Sequence, residues 1–256
     1  MLKTYLVDGD KGGVGKTMTA RVLTDALILG ESIGLPNSKI ICMDADRTNP
    51  DFAGENGYTT EGPIIGTGLI DLGLPKYWAE LANKMEDYVK AGAAGEEIRL
   101  VVSLPATVGK DVFFTRDKTA GEVMGYLNAV PVWVMGRTKD SVTQLQKRYE
   151  AMPKQFEHGL VVMNLFFGTR DRFQVWDTSD IRAQTVGIGS WLEADLPELS
   201  DLVASRLGRT PFHVAAETGD AEGGVKLGMG DLLSIRAFRN FATSAMAIAE
   251  KVGVEK

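Results

Sequence analysis

Asp10-Lys11-Gly12-Gly13-Val14-Gly15-Lys16-Thr17 decides the reading of this chain. An apolar run, Tyr5-Leu6-Val7, precedes it, and a helical pattern begins at Thr17. Strand, glycine loop and helix in that order form the setting in which a phosphate-binding loop works. Glycines let the backbone curl until successive N–H groups point at one anion. The helix that follows aims its positive end at the same place. Lys16 is then placed to reach the outer phosphates and the Thr17 hydroxyl to ligate Mg²⁺.

Outward from the loop, the pattern alternates between strands and helices. Strands are expected over 3–9, 39–44, 98–102, 130–135, 160–164 and 188–192, and helices over 16–29, 76–91, 117–128, Asp140 to Met152 and 231–252. Several strands are continuous apolar runs, as in Lys39-Ile40-Ile41-Cys42-Met43-Asp44. That is the signature of a parallel sheet covered on both faces. The expected fold is therefore α/β: a doubly wound, mostly parallel sheet between helical layers, in a single domain over 1–256. Residues 47–75, rich in Gly, Pro, Thr and Asn, read as a long loop with a short helix near 69–73; it is either a phosphate-sensing switch or an irregular connection. Asp44-Ala45-Asp46 ends the second strand, at the sheet edge where such folds bind ligands.

The loop departs from the strict pattern G-x-x-x-x-G-K-[ST], because Asp10 stands where the first glycine belongs. With Lys11 ahead of the glycines, it resembles the deviant P-loop of the ParA/MinD family of ATPases. The resemblance implies a three-layer P-loop NTPase that binds ATP and Mg²⁺. It implies that Gly12, Gly13, Val14, Gly15, Lys16, Thr17 and Met18 cradle the nucleotide, and that Lys11 acts across a homodimer formed on ATP binding. It also implies that Asp44 lies near the metal with Thr17, that Asp46 positions the attacking water, and that Asn164 and the segment at Pro197 meet the base. Lys11, Lys16 and Asp46 are thus the catalytic expectation. One departure weakens the hydrolytic side: Pro105 matches the family's third strand end, but Ser103 occupies the place of its Walker B aspartate. A serine binds a water without bringing charge, so either Asp44 carries that role alone, or hydrolysis is slow, or the chain is a nucleotide-binding switch with little turnover; slow turnover is the leading expectation.

Composition bounds the rest. The 256 residues carry a net charge of −6 and 44% hydrophobic residues. No whole-surface nucleic-acid footprint exists, so DNA contact needs a local basic patch. Candidates are Arg137, Lys139, Lys147, Arg148, Arg236 and Arg239. Arg170 and Arg172 beside Phe173 and Trp176 read either as a stacking platform or, preferably, as a partly buried loop. Cys42 is the single cysteine, which excludes an internal disulfide and the iron–sulfur branch of the family. Neither His158 nor His213 has a ligand-spaced partner. No leader precedes the first strand and no run approaches a membrane span, so the expectation is cytoplasmic. The last helix reads as core rather than as a membrane-binding helix. Two functions remain in view. One is an ATP-driven switch that positions DNA non-specifically, as in plasmid partition, stability or conjugative transfer, with a protein partner that stimulates hydrolysis. The other is a nucleotide-controlled protein scaffold with little hydrolysis and no DNA. Small-molecule kinases or amidoligases are a minor third, since no acceptor site is readable.

Overall fold

The computed structural model describes residues 1–30, 38–46, 50–54, 57–105, 112–113 and 118–253. The chain runs β1 (Leu2–Gly9), α1 (Lys16–Ile28), β2 (Lys39–Asp44), β3 (Ile64–Leu69), α2 (Pro75–Ala93), β4 (Ile98–Ser103), α3 (Thr119–Tyr126), β5 (Ala129–Met135), α4 (Lys139–Ala151) and β6 (Gly159–Asn164). It continues through the short α5 (Gln174–Asp177) and α6 (Asp180–Thr185), β7 (Trp191–Leu196), α7 (Asp201–Leu207), α8 (Phe212–Thr218), the small hairpin β8 (Asp220–Ala221) and β9 (Val225–Lys226), and α9 (Met229–Met246).

Seven strands form one sheet in the order β3-β2-β4-β1-β5-β6-β7, and every neighbouring pair is parallel. The chain leaves β1 to one side, returns to β4 beside it, and then builds the other side. Strand order therefore reverses at β1, and the crevice at the carboxyl end of β1 is where such a sheet takes a ligand. All residues of β1, β4 and β6 are buried. Alternate β1 side chains enter separate cores: Tyr5 and Val7 pack with α1 and α9, while Leu2 and Leu6 pack with Trp78, Val123 and Leu145 of α2, α3 and α4. This is the expected α/β sandwich. Among the described residues, no helix is long and apolar enough to cross a membrane.

Two strands of the seven-stranded sheet differ from expectation. β3 lies inside the loop expected over 47–75, of which residues 47–49 and 55–56 are outside the described residues. Its Gly66-Thr67-Gly68 reads as a turn, yet the glycines suit a tight edge: a Cβ on Gly68 would stand 3.3 Å from Met43 Sδ. No helix forms at 69–73; instead Asp71 Oδ1 accepts the Gly73 N–H at 3.0 Å, closing a turn. The last strand of the seven-stranded sheet begins at Trp191, not Ile188, because Gly189 turns the chain at φ 80°. It extends through charged residues. Glu193 and Asp195 share a face with Trp191, where Trp176 Nε1 and Arg182 Nε donate to Glu193 at 2.6 and 2.9 Å and Arg170 pairs with Asp177 at 2.8 Å. Phe173 and Trp176 are buried, so this region is the packed loop and not a stacking platform.

Residues 208–252 clamp the start of the chain. Lys3 Nζ donates to the carbonyls of Ala249 and Val252 at 3.1 and 3.0 Å. Arg21, buried on α1, donates to Gly208 O at 3.0 Å and to Thr210 O. Asp25 pairs with Arg239 and lies 3.5 Å from His213 Nδ1. Arg99 Nε meets Glu250 at 2.9 Å. Helix α9 is thus a core helix, with Ile235, Phe238, Ala242 and Met246 buried, while Phe241 is 58% exposed.

Candidate nucleotide site

The loop between β1 and α1 has the backbone its sequence demands. Gly13 and Gly15 take φ of 75° and 104°, a region that other residues avoid. Gly15 is also required by space, since a Cβ there would lie 2.3 Å from Asn164 Nδ2, whereas Gly12 and Gly13 face nothing within 4 Å. The open side of the loop is thus bare backbone. Helix α1 begins at Lys16 with no side-chain cap and no acidic residue in its first turn, so its leading N–H groups are left for an anion.

Lys16 is 9% exposed, and its Nζ donates to Lys11 O at 2.9 Å. Burial lowers its pKa, against the pull of Asp8, Asp46 and Asp10. Lys11 itself is exposed at the rim, as are Gly12 and Gly13; Val14 is buried, and Thr17 and Met18 are half-buried. Asp44 is 1% exposed. Its Oδ1 accepts the Asp46 N–H at 2.9 Å and its Oδ2 the Phe52 N–H at 2.8 Å. Burial outweighs these bonds and raises its pKa to about 6. Asp46, half-buried, lies close enough to act on Lys16. Ser103 sits beside Asp44 in register, and its carbonyl accepts the Ala45 N–H at 2.9 Å.

Oxygen donors are what a hard cation takes. Thr17 and Asp44 would hold Mg²⁺, and because both Asp44 oxygens already accept an N–H, the carboxylate suits a metal-bound water better than a direct bond. Bound there, the ion would neutralise phosphate charge.

A cavity of about 170 Å³ adjoins the loop and gathers Gly13, Gly15, Met18, Asn164 and Pro197. These were all expected at the nucleotide. Asn164 has a further duty: its Nδ2 donates to Val14 O at 2.9 Å and its Oδ1 accepts the Phe166 N–H at 3.1 Å. Phe166 and Asp201 also line the cavity, and the sequence reading missed both. The only sign was their position, just past Asn164 and Pro197 at two strand ends.

The sheet reversal at β1 and the Lys11–Thr17 loop at that point together carry a likeness. The chain is similar to the ParA/MinD proteins. No family model matches it. It is 28% identical over 205 residues to Protein MobD of Acidithiobacillus ferrooxidans, covering 78% of this chain and 79% of that protein. Apo McdA of Cyanthece aligns with a TM-score of 0.49 at 16% identity, over 96% of this chain and 100% of that one. A nucleotide-binding protein in complex with ADP from Archaeoglobus fulgidus aligns with a TM-score of 0.43 at 18% identity, over 80% and 86%.

This ParA/MinD-like chain does not present all its candidate DNA-contacting cations to solvent. Arg148 is 3% exposed and pairs with Asp8 at 3.0 Å. Arg239 is committed to Asp25, whereas Arg236 stays exposed although its Nη2 donates to Ala216 O at 2.9 Å. Arg137, Lys139 and Lys147 are exposed at the start and on the outer side of α4.

Proposed function

We propose that the chain is an ATP-dependent dimerising switch, acting as one ATPase domain in the cytoplasm, that positions or segregates DNA in plasmid partition, stability or conjugative transfer. Lys11 carries this reading. The loop turns the Lys16 side chain inward, onto the Lys11 carbonyl, while Lys11 itself stays exposed on the rim, free to meet a nucleotide held by a second copy. ATP enters with its phosphates on the bare backbone at Gly12 to Thr17 and its base beside Met18, Asn164 and Pro197. Asp46 orients the water that attacks the γ-phosphate, and Thr17 and Asp44 serve Mg²⁺. Ser103 in place of a carboxylate makes hydrolysis slow. Binding then drives a population shift to the dimer, and hydrolysis resets it.

The DNA-facing surface is assigned to the exposed Arg137, Lys139 and Lys147, with Arg236 a further exposed cation, in contact with phosphates and without sequence preference. A protein partner stimulates turnover. The test is binding to non-specific duplex DNA without nucleotide, with ADP and with ATP–Mg²⁺, for the parent and Lys11→Ala, with solution mass in parallel. DNA binding that appears only in an ATP dimer and disappears in Lys11→Ala is the expected result. An ATP dimer that ignores DNA would instead support the protein scaffold. Absence of any nucleotide-dependent dimer would refute the role given to Lys11.

A further inference from the structure

Beneath the phosphate loop lies a buried ion pair that the proposed chemistry does not use. Asp8 is the penultimate residue of β1 and shares a face with Leu6, so its carboxylate projects toward α4. It is 4% exposed. Its Oδ1 accepts the Gly9 N–H at 2.7 Å, at the foot of the loop. Arg148 of α4 brings Nη1 to 3.0 Å from Asp8 Oδ2, with its guanidinium 4.7 Å from the Phe113 ring and 5.3 Å from that of Trp133. The same helix touches the loop again two turns earlier, where Ser141 Oγ donates to Asp10 at 3.2 Å and accepts the Gly136 N–H at 3.0 Å.

We propose that Arg148 is a positioning residue for nucleotide binding: it holds the Asp8 carboxylate against α4 and so leaves Lys16 to the phosphates. The proposal rests on the nucleotide reading of the loop. Burial pushes the Asp8 carboxyl up; Arg148 from α4, the Gly9 N–H and Lys16 from α1 hold its charged form against that, while Asp10 from the loop opposes them. Two cations therefore compete for one buried anion. With Arg148 in place the anion is already matched. Without it, Lys16 is the remaining cation, and a buried carboxylate draws it away from an incoming phosphate.

Stability alone is a poor account of this pair. Asp8 Oδ2, Arg148 Nε and Arg148 Nη1 are buried without a hydrogen-bond partner among the described residues; the 3.0 Å approach is an ion pair whose angles do not make a hydrogen bond. Such pairs are commonly no better than apolar residues of the same size. Its place at the foot of the loop gives it a use that packing does not.

The test compares Arg148→Met, Asp8→Asn and the double variant, measuring the Kd for ATP–Mg²⁺ together with the thermal midpoint without nucleotide. Arg148→Met is expected to weaken ATP by about tenfold or more. Asp8→Asn, which removes the competitor, should weaken it far less, and the double variant should recover most of what Arg148→Met loses. Equal losses in the two single variants, or a thermal midpoint that falls while ATP affinity stays at the parent value, would overturn the proposal. Should Arg148→Met not fold, the double variant decides: ATP binding near the parent's supports the proposal, and loss of ATP by a folded double variant overturns it. A parent chain that binds no ATP would refute the nucleotide reading itself, a result distinct from all of these.

Discussion

Replacing Asn164 with alanine separates two roles that converge on one amide. If the side chain only meets a nucleotide base, its removal leaves the empty protein unchanged. The structure gives it a second task, because it bonds Val14 O at 2.9 Å and the Phe166 N–H at 3.1 Å. Val14 is fully buried, so its carbonyl would lose a partner that water cannot replace, costing about 1–3 kcal/mol. Phe166 is 50% exposed, so water can reach its N–H and that loss adds only about 0.5 kcal/mol. The sum is about 1.5–3.5 kcal/mol, which for a chain of this size lowers the thermal midpoint by about 3–14 °C. The assay is urea unfolding of nucleotide-free Asn164→Ala beside the parent, at equal m-value, with ATP affinity measured on the folded protein. A stability change under about 0.5 kcal/mol would refute the brace and leave Asn164 as a ligand contact alone.

Ser103→Asp restores a carboxylate beside Asp44, its register partner. Like charges on adjacent buried positions should destabilise the metal-free protein by roughly 1–3 kcal/mol, and Mg²⁺–ATP should return that stability and raise turnover; a variant as stable as the parent without metal would contradict the geometry. A second prediction concerns pH. The Asp44 pKa, raised to about 6 by burial, means that its carboxylate takes a proton as pH falls through that value. The gain in ATP affinity that Mg²⁺ provides should therefore be full above pH 7 and shrink toward pH 5. Calorimetric titrations across that range check it, and a flat profile would remove Asp44 from the metal's surroundings.

Much of this site could be read from sequence because its parts are local. β1, the loop and α1 are contiguous, and Asp44, Ser103 and Asn164 each end a largely apolar strand buried on both faces, interrupted in β4 by Arg99. What stayed hidden depends on distant partners. β3 is written in glycines, which locally mean a turn and here mean a close approach to Met43. β7 alternates carboxylates into the sheet, which makes sense only once Arg170, Arg182 and Trp176 fold over them. Arg148 and Arg239 look like solvated surface charge on their own helices; only the fold supplies Asp8 and Asp25.

The clamp formed by residues 208–252 has a consequence for how the chain is made. Translation delivers β1 and α1 well before residues 208–252, on which Lys3, Arg21 and Asp25 find their partners. At about 5–20 residues per second, that interval is roughly 10–40 s. Through it the nascent phosphate loop is attached to a helix whose buried charges are unmatched, and exposing such charges to water is cheaper than packing them. The N-terminal half therefore cannot reach its final form ahead of the C-terminal segment, and a ribosome stalled near residue 200 should hold a chain whose first helix is still open to proteases.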